Sequence, residues 1–275
     1  MTGIFKQLDH AVQNLIREAT RQIILPAYYE QIADELIFQK TDHSIVTKID
    51  HDAQNFLQGK LHDLLPESGF LGEEETHWTT PFDRTGEWVW ILDPIDGTHN
   101  FAYQNDDFGT MLALWHLPSH RPVYGWVYLS VSDVMFSGGG EEGVFRNGEA
   151  LTPAVKNTPL EEMSGLLNYN SFGPARTPMQ HNAQAFHAIA PSSCAAIKFA
   201  ALLEGTADFA AFGRAKIWDL GAGFALIKAL GGHAADIDSR EKLSLENPAQ
   251  HKAWYLATRH AANWQAICNQ LFKNV

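Results

Sequence analysis

Trp88-Val89-Trp90-Ile91-Leu92-Asp93-Pro94-Ile95-Asp96-Gly97-Thr98 runs from apolar residues straight into two carboxylates, a glycine and a threonine. A short continuous apolar run reads as a strand covered on both faces. Pro94 keeps the chain extended or turned beyond Asp93. Two carboxylates three positions apart can then converge on neighbouring cations, with the Ile95 carbonyl as a further oxygen donor. Gly97 tolerates backbone angles that other residues resist. If Gly97-Thr98 opens a helical turn, its N–H groups suit a phosphate. The competing reading is an Asx-type turn that caps a helix. The buried strand tips the balance toward a cation site, because unpaired buried carboxylates are costly.

Two further blocks carry the same chemistry. Upstream, Leu71-Gly72-Glu73-Glu74-Glu75 ends a short apolar segment in acids, which alone reads as a solvated acidic turn. Downstream, Asp219 in Trp218-Asp219-Leu220-Gly221-Ala222-Gly223 alone reads as a helix N-cap. All three blocks together indicate an oxygen-rich site for a hard divalent cation such as Mg²⁺. The reading is a metal-dependent phosphatase of a small phosphorylated metabolite.

Around these blocks the chain divides into helices, then a strand meander, then alternating helix and strand. Leu8, Val12, Leu15, Ile16, Ile23 and Leu25 recur with helical spacing, and Pro26 marks an end or kink. Residues 49–65 predict a second amphipathic helix stopped by Pro66, and residues 40–48, being polar, predict a loop. Short strand 69–71 leads to the glutamates, and residues 110–117, 123–131 and 134–137 predict an antiparallel meander. Helices are predicted over 192–203, with Gly205 as C-cap, over 219–230 and over 261–272, and a strand over 254–258. Pro153, Asn157 and Pro159 suggest a break into two lobes, 1–152 of α+β character carrying most of the metal ligands and 153–275 of α/β character carrying Asp219 and the substrate-pocket wall.

Composition narrows the function. The 275 residues carry 20 basic and 32 acidic side chains, a net charge of −12, so no basic stripe exists to follow a nucleic-acid polymer. A small anionic substrate remains compatible, because bound cations invert the local field. Cys194 and Cys268 form no C-x-x-C or zinc spacing and read as reduced thiols of a cytoplasmic protein. No membrane-spanning apolar run and no apolar signal core are present in the sequence.

Gly72-Glu73-Glu74, Trp90-Ile91-Leu92-Asp93-Pro94-Ile95-Asp96-Gly97-Thr98-His99-Asn100-Phe101 and Trp218-Asp219-Leu220-Gly221-Ala222-Gly223 together resemble the inositol monophosphatase family of magnesium-dependent, lithium-sensitive phosphatases. Ser44-Ile45-Val46-Thr47-Lys48-Ile49-Asp50 and Gly231-Gly232 with Ala235-Asp236 resemble further family segments in the expected order. The resemblance implies a layered αβαβα fold, a homodimer and two or three Mg²⁺ ions. It implies that Glu73, Asp93, the Ile95 carbonyl, Asp96 and Asp219 ligate metal, with Glu73 also helping to activate water. Thr98, polarised by Asp50, would orient that water, and Lys40 would contact metal-bound water. Gly97 and Thr98 would hold the phosphate, with Asp96, Ser193, Cys194, Ala195 and Asp219 around the substrate.

One departure bears on the substrate. Inositol-selective members carry an acid seven positions before the motif aspartate, where this chain has Phe212, which cannot accept hydrogen bonds from a polyol. Lys216 offers a cation for a second anionic group or is an ordinary surface lysine. Bisphosphate phosphatases (of 3′-phosphoadenosine 5′-phosphate or fructose 1,6-bisphosphate) and histidinol-phosphate phosphatases are therefore the enzymatic alternatives. A metal-binding scaffold without turnover is the non-enzymatic one. Gly221-Ala222-Gly223 superficially resembles a dinucleotide fingerprint but lacks its third glycine and a preceding strand.

Overall fold

The structure, a computed structural model, describes residues 2–30, 37–39, 45–74, 86–153, 158–238, 243–245 and 254–275. The chain opens with α1 (Thr2–Ala19) and α2 (Leu25–Glu30), then β1 (Ile37–Gln39), β2 (Ile45–Thr47) and α3 (Lys48–Leu64). The strands β3 (Gly69–Gly72) and β4 (Trp88–Asp96) precede a short helix, α4 (Thr98–Ala102). The meander is β5 (Gly109–His116), β6 (Arg121–Leu129), β7 (Val134–Gly139), β8 (Gly143–Arg146) and β9 (Glu149–Ala150). Then come β10 (Ser164–Leu167), α5 (Arg176–Asn182), β11 (Ala188–Pro191), α6 (Ala195–Glu204), β12 (Phe209–Gly213) and α7 (Ile217–Ala229). The chain closes with β13 (His233–Asp236), β14 (Trp254–Thr258) and α8 (Trp264–Leu271).

Strands β3 to β9 form a seven-stranded sheet in sequence order, parallel between β3 and β4 and antiparallel thereafter. A five-stranded mixed sheet has the order β11-β10-β12-β14-β13. The predicted two-faced burial of β4 is what builds the layers. Trp90 and Leu92, with Leu112 and Leu114 of β5, pack against Leu8, Val12 and Ile16 of α1 and Leu57 and Leu61 of α3. Val89 and Ile91, with Met111, Ala113 and Trp115, pack instead against Phe199 of α6 and Leu220 and Phe224 of α7. The five-stranded sheet adds Ala210 and Phe212 to that second core and turns Phe209 and Ala211 toward Met179 of α5 and Ile267 of α8. The order is helices, sheet, helices, sheet, helices, which is the αβαβα layering.

Two local readings change, and one rejection is matched by the structure. Pro26 does not end the first helix. It follows a five-residue π-type segment, Thr20–Ile24, in which the Leu25 N–H reaches back to the Thr20 carbonyl. That register shift accommodates a residue with no N–H of its own. Ile45–Thr47, predicted as loop, pairs antiparallel with Ile37–Gln39, and residues 40–44 lie outside the described residues. Gly221 and Gly223 lie inside α7 rather than on a strand-to-helix turn, so they do not form a dinucleotide fingerprint.

Gly125 lets α7 lie directly on the sheet, and Gly223 lets α7 lie against α6. A Cβ at Gly125 of β6 would fall 2.3 Å from the Ala222 carbonyl oxygen, and one at Gly223 would fall 2.2 Å from the Phe199 ring. At Gly125 the neighbour is backbone, so a new methyl has no side chain to displace. Gly125→Ala is predicted to lose about 1–3 kcal/mol of stability in urea unfolding. Gly59→Ala in α3, where nothing lies within 4 Å, is predicted to gain up to about 1 kcal/mol in the same assay.

Candidate active site

Strand parity brings the acids together. In β4 the odd-numbered Val89 and Ile91 face α6 and α7, and Asp93 continues that set, paired with Met111. The Glu73 N–H donates to the Leu92 carbonyl at 3.0 Å, extending the β3–β4 ladder by one step and setting Glu73 beside Asp93. Asp219 enters from the first turn of α7, where its Oδ2 accepts the Lys216 N–H at 2.7 Å. Ligand oxygens of Glu73, Asp93 and Asp219 all lie within 4.8 Å of one another. Lys216 reaches back over this group, its Nζ 3.9 Å from Glu73 Oε1 and 5.3 Å from the centre of the Trp218 ring.

Asp96 arrives by a different device. The β4–β5 register shifts between Asp93 and Asp96, and the Ile95 N–H donates to Asp93 Oδ1 at 3.1 Å across the irregularity. Asp96 Oδ2 then accepts the Ala196 N–H at 2.5 Å and the Cys194 thiol at 2.9 Å. The carboxylate therefore rests on the N-terminal turn of α6, whose dipole favours an anion. Next along the chain, Gly97 takes φ 87°, a left-handed turn that starts α4. Thr98 Oγ1 lies 3.0 Å from Asp50 Oδ1 and 3.0 Å from the Ile95 carbonyl oxygen, so its one proton goes to either acceptor. Asp50 is itself buried at the start of α3, its Oδ2 accepting the Thr47 N–H at 2.8 Å and the Thr47 hydroxyl at 2.5 Å.

The electrostatics follow from burial. Desolvation pushes Asp93 well above the usual carboxylate range, and the charges of Glu73, Asp96 and Asp219 push it further. Asp219 is raised well above that range by burial and by Glu73 and Asp96. Asp96 is also raised by burial, held back by the amides of Ala196 and Ala195 and the Cys194 thiol. Burial raises Asp50 from 3.8 to about 7, against the Thr47 hydrogen bonds. A cluster that resists ionisation by itself, and offers only oxygen donors, fits a hard divalent cation.

Not every sequence candidate joins the cluster. Ser193 is exposed on the approach to α6. Cys194 and Ala195 touch Asp96 rather than open solvent. His99 is exposed, its ring 4.6 Å from that of Tyr103. Lys40 and Glu75 lie outside the described residues. Phe212 is buried rather than facing a cleft, stacked on Phe199 with ring centres 4.9 Å apart. Sequence reading missed two groups. Glu74 is buried, its N–H donating to Gln54 Oε1 at 2.9 Å. Lys198 is buried in α6, and its signal was a lone charge inside Ala195-Ala196-Ile197-Lys198-Phe199-Ala200-Ala201.

Comparison with known proteins gives this arrangement its relatives. The sequence model of the inositol monophosphatase family matches residues 5–269. A fructose-1,6-bisphosphatase/inositol-1-monophosphatase of Thermotoga maritima is 29% identical over 200 residues, covering 72% of this chain and 73% of that one. The 3'(2'),5'-bisphosphate nucleotidase CysQ of Escherichia coli is 26% identical over 238 residues, covering 77% and 86%. Among solved structures, the Thermotoga maritima IMPase superposes with a TM-score of 0.80 over 98% of this chain and 97% of that one, at 23% identity, a likeness of fold.

The raised acids fix a pH dependence. A native carboxyl with a raised pKa binds protons that the unfolded chain has already lost. Its stabilisation is complete below the unfolded value and is lost as pH rises through the folded one. For Asp50 that window runs from 3.8 to about 7, and Asp93, Asp96 and Asp219 act in the same direction. In EDTA the melting temperature is predicted to fall as pH rises across this window. The increment produced by Mg²⁺ is predicted to grow across it. A metal-free Tm that climbs over the same range in scanning fluorimetry contradicts the assignment.

Proposed function

The chain belongs to the inositol monophosphatase family, a family of phosphomonoester hydrolases, and from that premise we propose that it uses Mg²⁺ to hydrolyse a small phosphorylated metabolite by direct attack of water on phosphorus. The observation that carries this reading is the convergence of Glu73, Asp93 and Asp219 within 4.8 Å. Glu73, Asp93, the Ile95 carbonyl, Asp96 and Asp219 would hold two or three ions. Bound there, Mg²⁺ would lower the pKa of water, neutralise phosphate oxygens and stabilise the leaving alkoxide.

The protein's own groups then have defined tasks. The Thr98 hydroxyl would donate its hydrogen bond to Asp50 Oδ1, 3.0 Å away, which leaves the oxygen lone pairs to accept from the attacking water. Ionised Asp50 is kept in place by two bonds from Thr47. Asp96 is aimed by the α6 amides, so Cys194 and Ala195 act on the site through it. The amides of Gly97 and Thr98, where the left-handed turn starts α4, are assigned to phosphate oxygens. Positioning and charge stabilisation suffice for in-line transfer to water, so no phosphoenzyme is required.

A substrate with a second anionic group is the alternative within this reading. It is favoured by Lys216, whose ammonium lies 3.9 Å from Glu73, and by the burial of Phe212, which withdraws that side chain from any polyol.

Phosphate release is predicted in Mg²⁺ and not in EDTA. Asp93→Asn and Glu73→Gln are predicted to lower kcat at least about a thousandfold, since the ion supplies several kcal/mol of transition-state stabilisation, with circular dichroism unchanged. Full activity of either variant overturns the site. A panel of monophosphates and bisphosphates, compared by kcat/KM, decides between the two substrate classes. Acid quenching during turnover of ³²P-labelled substrate is predicted to leave no label on the protein.

A further inference from the structure

We infer that Gln54 is a positioning residue for Glu73, so that one helix, α3, sets Thr98 and Glu73 relative to each other. This rests on the metal-site reading above. The buried stripe of α3 is Asp50, Ala53, Gln54, Leu57 and Leu61, the spacing of a single helix face. Its far end, Leu57 and Leu61, packs in the apolar core with Trp90 and Leu92. Its near end carries two polar side chains one turn apart. Asp50 Oδ1 lies 3.0 Å from Thr98 Oγ1. Gln54, 4% exposed, accepts the Glu74 N–H on Oε1 at 2.9 Å.

Glu73 is thereby held at both of its peptide links. Its own N–H donates to the Leu92 carbonyl at 3.0 Å, and the N–H of the next residue donates to Gln54. Without the second bond, Glu73 would be the first residue beyond a four-residue strand at the edge of its sheet, where chains open most readily. Gly72 makes room for the Gln54 amide. A Cβ there would fall 2.1 Å from Gln54 Oε1 and 2.8 Å from its Nε2, so the amide fills the volume of the missing side chain. His51 of the same helix brings its Nε2 to 3.9 Å from Glu74 Oε2, a second contact between α3 and this turn. A leucine at position 54 would continue the apolar stripe with no polar group to desolvate. What glutamine adds is an acceptor, without a further negative charge beside Glu73 and Glu74.

Three variants of the full chain test this. Gln54→Leu removes the acceptor at similar volume. Gly72→Ala keeps Gln54 but takes the space of its amide. Gln54→Glu keeps an acceptor oxygen for the Glu74 N–H. Mn²⁺ affinity is read from the free-ion electron paramagnetic resonance signal, below the melting temperature that each variant shows in EDTA. Gln54→Leu and Gly72→Ala are expected to bind Mn²⁺ about tenfold more weakly or worse, the usual cost of losing a partner that orients a metal ligand. Gln54→Glu is expected to bind at least as tightly as the wild type, since its acceptor remains and a carboxylate only attracts a cation. If Gln54→Leu or Gly72→Ala melts lower but binds Mn²⁺ with wild-type affinity, Gln54 merely braces the fold and the inference fails. It fails equally if Gln54→Glu binds as weakly as Gln54→Leu, because the acceptor is then not the cause. If the wild type binds no Mn²⁺, the metal site falls and this inference with it.

Discussion

Like charges forced into one desolvated corner are the constraint that the rest of this structure answers. Each buried carboxylate loses several kcal/mol of hydration unless donors or cations replace it. The replacements differ from acid to acid. Asp96 rests on α6 amides and a thiol. Asp219 takes an amide from Lys216, whose ammonium approaches Glu73. Asp93 has the Ile95 amide, against the charges of three neighbouring acids. The acid that faces three charged neighbours is thus carried by β4, a strand buried on both faces. A rigid anchor prevents the cluster from relieving its repulsion by spreading apart, which is what makes it a receptor for cations rather than a loose acidic surface.

The architecture supplies that rigidity by aiming helix N-termini at the ends of strands. Both α6 and α7 lie on the β4–β5 face of the seven-stranded sheet. They approach closely because glycine stands where a methyl would collide, at Gly125 against Ala222 and at Gly223 against Phe199. The close approach carries Asp219 toward Asp93 and the α6 amides toward Asp96. Small residues in α7 are therefore part of the site's geometry, although none of them carries any chemistry.

Much of this was legible in the chain. The apolar run ending at Asp93 announced a two-faced strand, and with it the layer on either side. The joint presence of the Glu73, Asp96 and Asp219 blocks pointed to one site because each alone had a bland explanation that the set did not share. What escaped was set by contacts distant in sequence. The β1–β2 pairing joins two runs of three residues, Ile37–Gln39 and Ile45–Thr47, each too short to show a period in sequence. Pro26 read as an end or a kink, and the π-type turn that precedes it leaves no residue signature of its own. Glu74 read as solvent-facing, since nothing local reveals that Gln54 covers it. Lys198 was visible as an oddity, but what it faces depends on β12, and no periodicity within α6 carries that information.

Phe212 and Lys198 are best understood as one unit. The Phe212 ring stacks on Phe199 and receives the Lys198 ammonium on its face. An acid at position 212 would occupy the same buried place, only 2% exposed, and would meet that ammonium before it met any substrate. The aromatic ring instead tolerates the ammonium without neutralising it. The absence of a polyol-binding acid here is therefore more than the loss of one contact. It is bound up with a buried cation that already lies against the place such an acid would take, fastened to the Ala211 carbonyl and the Phe212 ring.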